Sequence, residues 1–200
     1  MNTLITRSEE LVALGAEQGF PHFLASGTLF RSWARVLTSG VTEEIIRDMR
    51  RGLAMKQAIG AEIKVPYFLG LLSEAHLKAK EAGEALRLVK IALERVNQTA
   101  ERWFEAELYR LQGEALRQSL ELDDTEASAE ASFWRGLAVA RDQGARLWEL
   151  RAATSLASLW RDQGKRAEAR DLLAPVYNWF TEGFDTPILQ DTKVLLDQLA

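Results

Sequence analysis

The spacing of small and large side chains constrains this chain more than any single residue does. One stretch runs Leu156-Ala157-Ser158-Leu159-Trp160, then Gly164, Ala169, Leu173 and Val176. An earlier one runs Leu72-Ser73-Glu74-Ala75-His76, then Ala85, Val89 and Ala92. Between them lie Gln112-Gly113-Glu114-Ala115-Leu116, followed by Ala129, Phe133 and Gly136. A weaker copy comes first: Ser32-Trp33, Val36, Gly40, Ile45, Met49 and Gly52. The closing members Gly52, Ala92, Gly136 and Val176 stand 40, 44 and 40 residues apart. A unit of that length cannot bury its apolar face alone, so the period predicts an all-α solenoid of stacked antiparallel helix pairs.

The rest of the sequence agrees with helix. Prolines number only four, strong helix formers are abundant, and no segment alternates polar with apolar in the manner of a strand. Glycines at 19, 40, 60, 83, 144, 164 and 183 punctuate the chain as left-handed helix ends. Ten helices are predicted, over 3–18, 22–39, 42–59, 64–81, 84–97, 100–119, 125–143, 146–162, 165–181 and 187–199. Thr186 can cap the last of these, with Pro187 at its first position. One domain over 1–200 is expected: a half repeat or cap (1–20), helix pairs (21–62, 63–99, 100–144, 145–184) and a capping helix (185–200). Within each pair small residues (Ser73, Gly113, Ala157; Ala85, Ala129, Ala169) admit close backbones, and Trp160, Leu116, Phe133 and Leu173 fill the space.

These positions resemble the tetratricopeptide repeat, whose 34-residue motif is matched best by residues 150–183 and nearly as well by 66–99. There His76 replaces the usual Tyr and Lys80 the turn Gly. The pair from 106 carries an insertion near Asp123-Asp124, and the pair from 26 fits poorly because Trp33 stands where a small residue belongs. That resemblance implies a right-handed superhelix. A second one is more specific. The run from Glu101-Arg102-Trp103-Phe104 to Gln112-Gly113-Glu114, and that from Leu159-Trp160-Arg161 to Gly183-Phe184-Asp185-Thr186, are similar to the C-terminal helical-repeat region of large bacterial signalling proteins. Gly19-Phe20-Pro21-His22 and Pro66-Tyr67-Phe68 also fit. In that family a class III adenylate/guanylate cyclase domain or a DNA-binding domain precedes an ATPase module and then such repeats. It implies a regulatory or interaction segment. The opening helix has the place of a second helix, so either its partner lies upstream or it is a cap.

Little in the chain points to catalysis. Cysteine is absent, which excludes disulfides, thiolate metal sites and cysteine nucleophiles. Phosphate-cradling Gly-rich loops and close-spaced metal-ligand sets are missing. No catalytic residue, cofactor or metal is therefore expected. The net charge of −4 and pI near 5.4 disfavour nucleic acid and anionic membranes as partners. No run reaches the length of a membrane span, and a cytoplasmic protein is expected. Asp123-Asp124 reads as a capping turn, His76 as a hydrogen-bonded core residue, and Arg47, Arg50 and Arg51 as a solvated face. Trp33, Trp134 and Trp160 are assigned to packing; Trp103, Trp148 and Trp179 are less constrained and read as exposed or at a partner surface.

Carrying the repeat's ligand-facing positions onto this chain implies a groove lined by first helices. One pair would present Tyr67, Glu74 and Lys78. The next would present Glu107, Arg110, Glu114 and Arg117, and the third Arg151, Thr154, Ser158 and Arg161. Arginine forks on successive helices hold carboxylates bidentately, which suits an acidic peptide or chain terminus. The competing assignment is local pairing, Glu107 with Arg110 or Arg110 with Glu114. A protein-binding scaffold is thus the leading expectation, with partners on another chain, upstream domains of the same chain, or a second copy. A small-molecule sensor and a free-standing adaptor are the alternatives.

Overall fold

The computed structural model describes residues 2–119 and 125–200; the Asp123-Asp124 turn lies outside them. The described residues form ten α-helices and no strand. They are α1 (Asn2–Glu17), α2 (Pro21–Ser39), α3 (Glu43–Ala58), α4 (Val65–Lys78), α5 (Ala82–Thr99), α6 (Glu105–Gln118), α7 (Thr125–Asp142), α8 (Arg146–Asp162), α9 (Arg166–Tyr177) and α10 (Pro187–Gln198). The all-α class read from the sequence therefore stands. The helices sort into two compact units, Met1–Glu101 and Arg102–Ala200.

In the first unit α1 packs on α2, α2 on α3 and α4 on α5; α3 and α2 also meet α4. Leu29, Ile45, Met49, Phe68, Leu72, Val89 and Val96 fill its core. In the second unit α6 packs on α7, α7 on α8, α8 on α9 and α9 on α10, while α6 touches α8 and α8 touches α10. Its core joins Phe133, Leu137, Leu150, Leu156, Leu173, Leu189 and Leu195.

Small residues decide how closely these helices approach. A Cβ built on Gly113 of α6 would lie 2.3 Å from the Phe133 ring of α7, so the ring occupies the volume that any other residue would need. One on Gly136 of α7 would meet the Ala106 carbonyl at 2.9 Å. Ser73 makes a similar approach polar, donating its hydroxyl to the Ala85 carbonyl at 3.0 Å. Phe133 is fully buried, whereas Trp160 is only partly so and rests edge-on against Trp134, centroids 5.8 Å apart. Trp134, assigned to packing, does pack on Trp160, but from the outside: it is 40% exposed.

Three local expectations are corrected. Gly83 does not close a helix; it lies in the first turn of α5, and Lys80 takes the left-handed conformation before it (φ 65°). The helix-ending turn needs the backbone shape and not the glycine, at a steric cost that Lys bears. Thr186 does not cap α10: its hydroxyl donates to the Gly183 carbonyl at 2.6 Å. α6 begins at Glu105 rather than 100, because Ala100 turns left-handed (φ 57°) and ends α5.

Candidate functional site

Eight of the eleven sequence-selected residues lie on α6 and α8, where residues of α10 also reach them. Glu107 is 1% exposed. Both of its oxygens accept from Arg110 Nε at 3.0 Å, and Oε1 accepts also from Arg110 Nη2 at 2.8 Å. Arg151 Nη2 of α8 reaches the same Oε1 at 2.8 Å. One buried carboxylate thus serves two guanidiniums from two helices, the arrangement that makes a buried charge tolerable.

The network continues outward. Arg110 Nη1 lies 3.4 Å from Glu114 Oε1 and from Ser155 Oγ, and Ser155 donates to Glu114 Oε1 at 2.6 Å. Arg117 donates to Ser158 Oγ at 3.4 Å and pairs with Asp162. Arg161 grips the same Asp162 through Nε and Nη2 at 3.0 and 2.9 Å and reaches Gln198 of α10 at 2.7 Å. Thr154 donates to the Leu150 carbonyl at 2.8 Å and lies 3.0 Å from Thr192 Oγ1 of α10. Both local pairs weighed against the groove, Glu107–Arg110 and Arg110–Glu114, are therefore formed, and longer links between helices are added to them.

The other three residues lie on α4 in the first unit. Tyr67 stacks against Phe68 and Phe30 at 5.3 and 6.3 Å between centroids. Its phenol is held above the usual tyrosine range by burial and by the charge of Glu74. Tyr67 and Glu74 are thus neighbours two turns apart. Lys78 is exposed and, among the described residues, makes no ion pair.

Several polar residues of consequence were not legible from the repeat offsets. Ser155, Asp162 and Gln198 complete the network but fall between the motif positions. Glu149, 4% exposed, accepts from Arg141 Nε at 2.8 Å and Arg146 Nη1 at 2.7 Å. Burial raises its carboxyl, yet the two arginines outweigh that and hold it below the usual range. Lys56 is the largest surprise: it is 1% exposed. Its ammonium has Ser26 Oγ at 3.5 Å and the Phe68 ring at 5.4 Å. Burial first, and then the charge of Lys64, push it below the ordinary lysine value. A signal did exist, since Lys56 continues the buried stripe Ile45, Met49, Gly52 at helical spacing.

His76 is buried as expected, with Nδ1 2.5 Å from Glu81 Oε2. Among the described residues no cluster of His, Asp and Glu could hold a metal ion, and no helix is long and apolar enough to cross a membrane. No family model matches the sequence, and no curated protein matches it.

Proposed function

We propose that this chain is a non-catalytic interaction module of tetratricopeptide-like architecture, whose α6 and α8 hold an acidic segment or terminus of a protein partner. The observation that carries the reading is the charge of the α6–α8 network. Among the described residues, Arg110, Arg117, Arg151 and Arg161 pair with Glu107, Glu114 and Asp162. Three of the guanidiniums reach solvent, with side-chain exposures of 28% for Arg117, 28% for Arg151 and 31% for Arg161. A partner carboxylate meets guanidiniums already fixed in position, so little side-chain entropy is lost on binding. Asp162, 46% exposed, is the internal anion such a partner displaces, because returning it to water costs little. Glu107 is enclosed and stays as the fixed counter-ion.

Contacts between alternate helices, α2 with α4, α6 with α8 and α8 with α10, support the repeat reading. Resemblance to the repeat regions of cyclase–ATPase signalling proteins supports a regulatory role in a longer chain, with catalysis supplied elsewhere.

The test is fluorescence anisotropy with a labelled peptide ending in several Asp and Glu residues, against a neutral peptide of equal length. The acidic peptide is expected to bind, more weakly as salt rises. Arg117→Gln with Arg161→Gln should weaken it by about tenfold or more. Equal binding of both peptides, or of wild type and double variant, sinks the reading.

A further inference from the structure

A second cluster of charged side chains lies in the first unit. α3, α4 and the turn into α5 line an open cavity of about 370 Å³, bordered by Glu43, Ile46, Arg47, Arg50, His76 and Glu81. We propose that this cavity binds a small carboxylate that also carries an amino or hydroxyl donor, an α-amino acid being the simplest member of the class.

The guanidiniums supply the first half of the recognition. Arg47 and Arg50 stand three apart on α3 and so share a side of the helix. Arg47 is exposed and, among the described residues, makes no ion pair or hydrogen bond. Arg50 uses Nη2 alone, 3.1 Å from Glu84 Oε1. That carboxylate is already held by Arg87 at 2.7 and 2.8 Å, so its charge is shared and Arg50 keeps spare donors. A guanidinium offers five N–H groups. Two of them side by side, mostly unused, fit the two oxygens of a carboxylate.

His76 supplies part of the cavity wall. Its ring is 2% exposed and is fixed through Nδ1 by Glu81. Its Nε2 is buried without any hydrogen-bond partner. A buried imidazole nitrogen with no partner carries the desolvation penalty of an unmade hydrogen bond, and this ring forms part of the cavity wall. That nitrogen has no accessible surface, so the ring contributes wall and not a hydrogen bond to a ligand in the open cavity.

The carboxylates at the same cavity set the rest of the ligand. Glu43 and Glu81 repel a bare or doubly charged anion, but accept hydrogen bonds from an ammonium or hydroxyl beside the ligand's own carboxylate. Ile46 gives an apolar floor for a short carbon skeleton. The volume sits at the low end of the roughly 300–1,000 Å³ of small-molecule sites, which fits a compact molecule.

The experiment is a proton NMR titration of the full chain, following the His76 Cε1–H signal. His22, the other of the two histidines, serves as internal control. Probes are L-amino acids, acetate, methylammonium and inorganic phosphate, each alone. One or more amino acids should shift His76 saturably while His22 stays, and Arg47→Gln, an exposed change that leaves the core intact, should weaken the apparent Kd about tenfold. The bound amino acid should also raise the melting temperature of wild type and not of the variant. Three results overturn the proposal: no saturable shift with any amino acid, equal response to acetate or phosphate, or unchanged affinity in Arg47→Gln.

Discussion

Arg151 of α8 and Glu107 of α6 are joined at 2.8 Å from one helix to the other, on an oxygen that Arg110 also holds at 2.8 Å. The pairing makes Glu107 a clasp between helices and not merely an intrahelical partner. Glu107→Ala removes the anion and leaves the enclosed Arg110 without its main counter-charge. It should cost about 3–5 kcal/mol, the usual loss when one member of a buried pair is deleted. Urea unfolding of the two proteins measures it; a loss under 1 kcal/mol would show that solvent already screens the pair.

Lys56 gives a pH dependence of defined sign. Its folded-state pKa lies below the ordinary 10.5, so between the two values the unfolded chain binds more protons than the folded one. Stability contributed by this group therefore rises as pH climbs through that window and is complete above the unfolded value. Lys56→Met, which keeps the stem volume and removes the charge, should be more stable than wild type near neutrality. The gain should shrink toward pH 10.5. Denaturation midpoints of both proteins across pH 7–10.5 check this; a constant gap would mean that Lys56 does not titrate differently on folding.

The Gly113–Phe133 contact makes a paired prediction. Phe133→Ala should cost about 3–5 kcal/mol, since the ring is fully buried. Gly113→Ala should cost about 1–3 kcal/mol by overpacking, although alanine favours helix over glycine. In Phe133→Leu, which withdraws the ring edge, the Gly113→Ala penalty should fall. Additive costs in that double-mutant cycle would show that the two residues do not share one volume.

The two terminal helices differ in their outer faces. α10 buries Leu189 and Leu195, turns Gln190, Asp191, Lys193 and Asp197 outward, and leaves one aliphatic side chain, Val194, 57% exposed. α1 leaves Leu4, Ile5, Leu11 and Val12 only partly covered and Leu14 54% exposed. We propose self-association through α1, expected as a rise in mass with concentration by light scattering, reversed by Leu14→Glu. A constant 22.5 kDa at high concentration would count against it.

Much of the local structure was present in the residue pattern. The period placed all ten helices, most boundaries within a few residues, because a helix must turn one apolar stripe inward every 3.6 residues. It also counted Gly113 among the small residues and Phe133 among the large ones of the helix pairs, and the structure brings these two into contact. Glycine placement succeeded at 19, 40, 60, 144, 164 and 183, all with positive φ, and failed at 83. The positive-φ position there is set by where α4 ends, and Lys80 occupies it.

What the sequence determined alone was the helical content, the breaks and the stripe that each helix buries, since these depend on neighbours within a few residues. Tertiary structure decided what the charged residues do. Glu107 reads as a groove residue or a local partner of Arg110 and is enclosed; Lys56, not singled out from the sequence, is 1% exposed. Arg47 reads as one of a solvated cluster and borders an open cavity walled in part by the buried His76 ring. Charge energetics depend on distance and burial through space, and α6 meets α8, or α3 meets α4, only when the chain has folded.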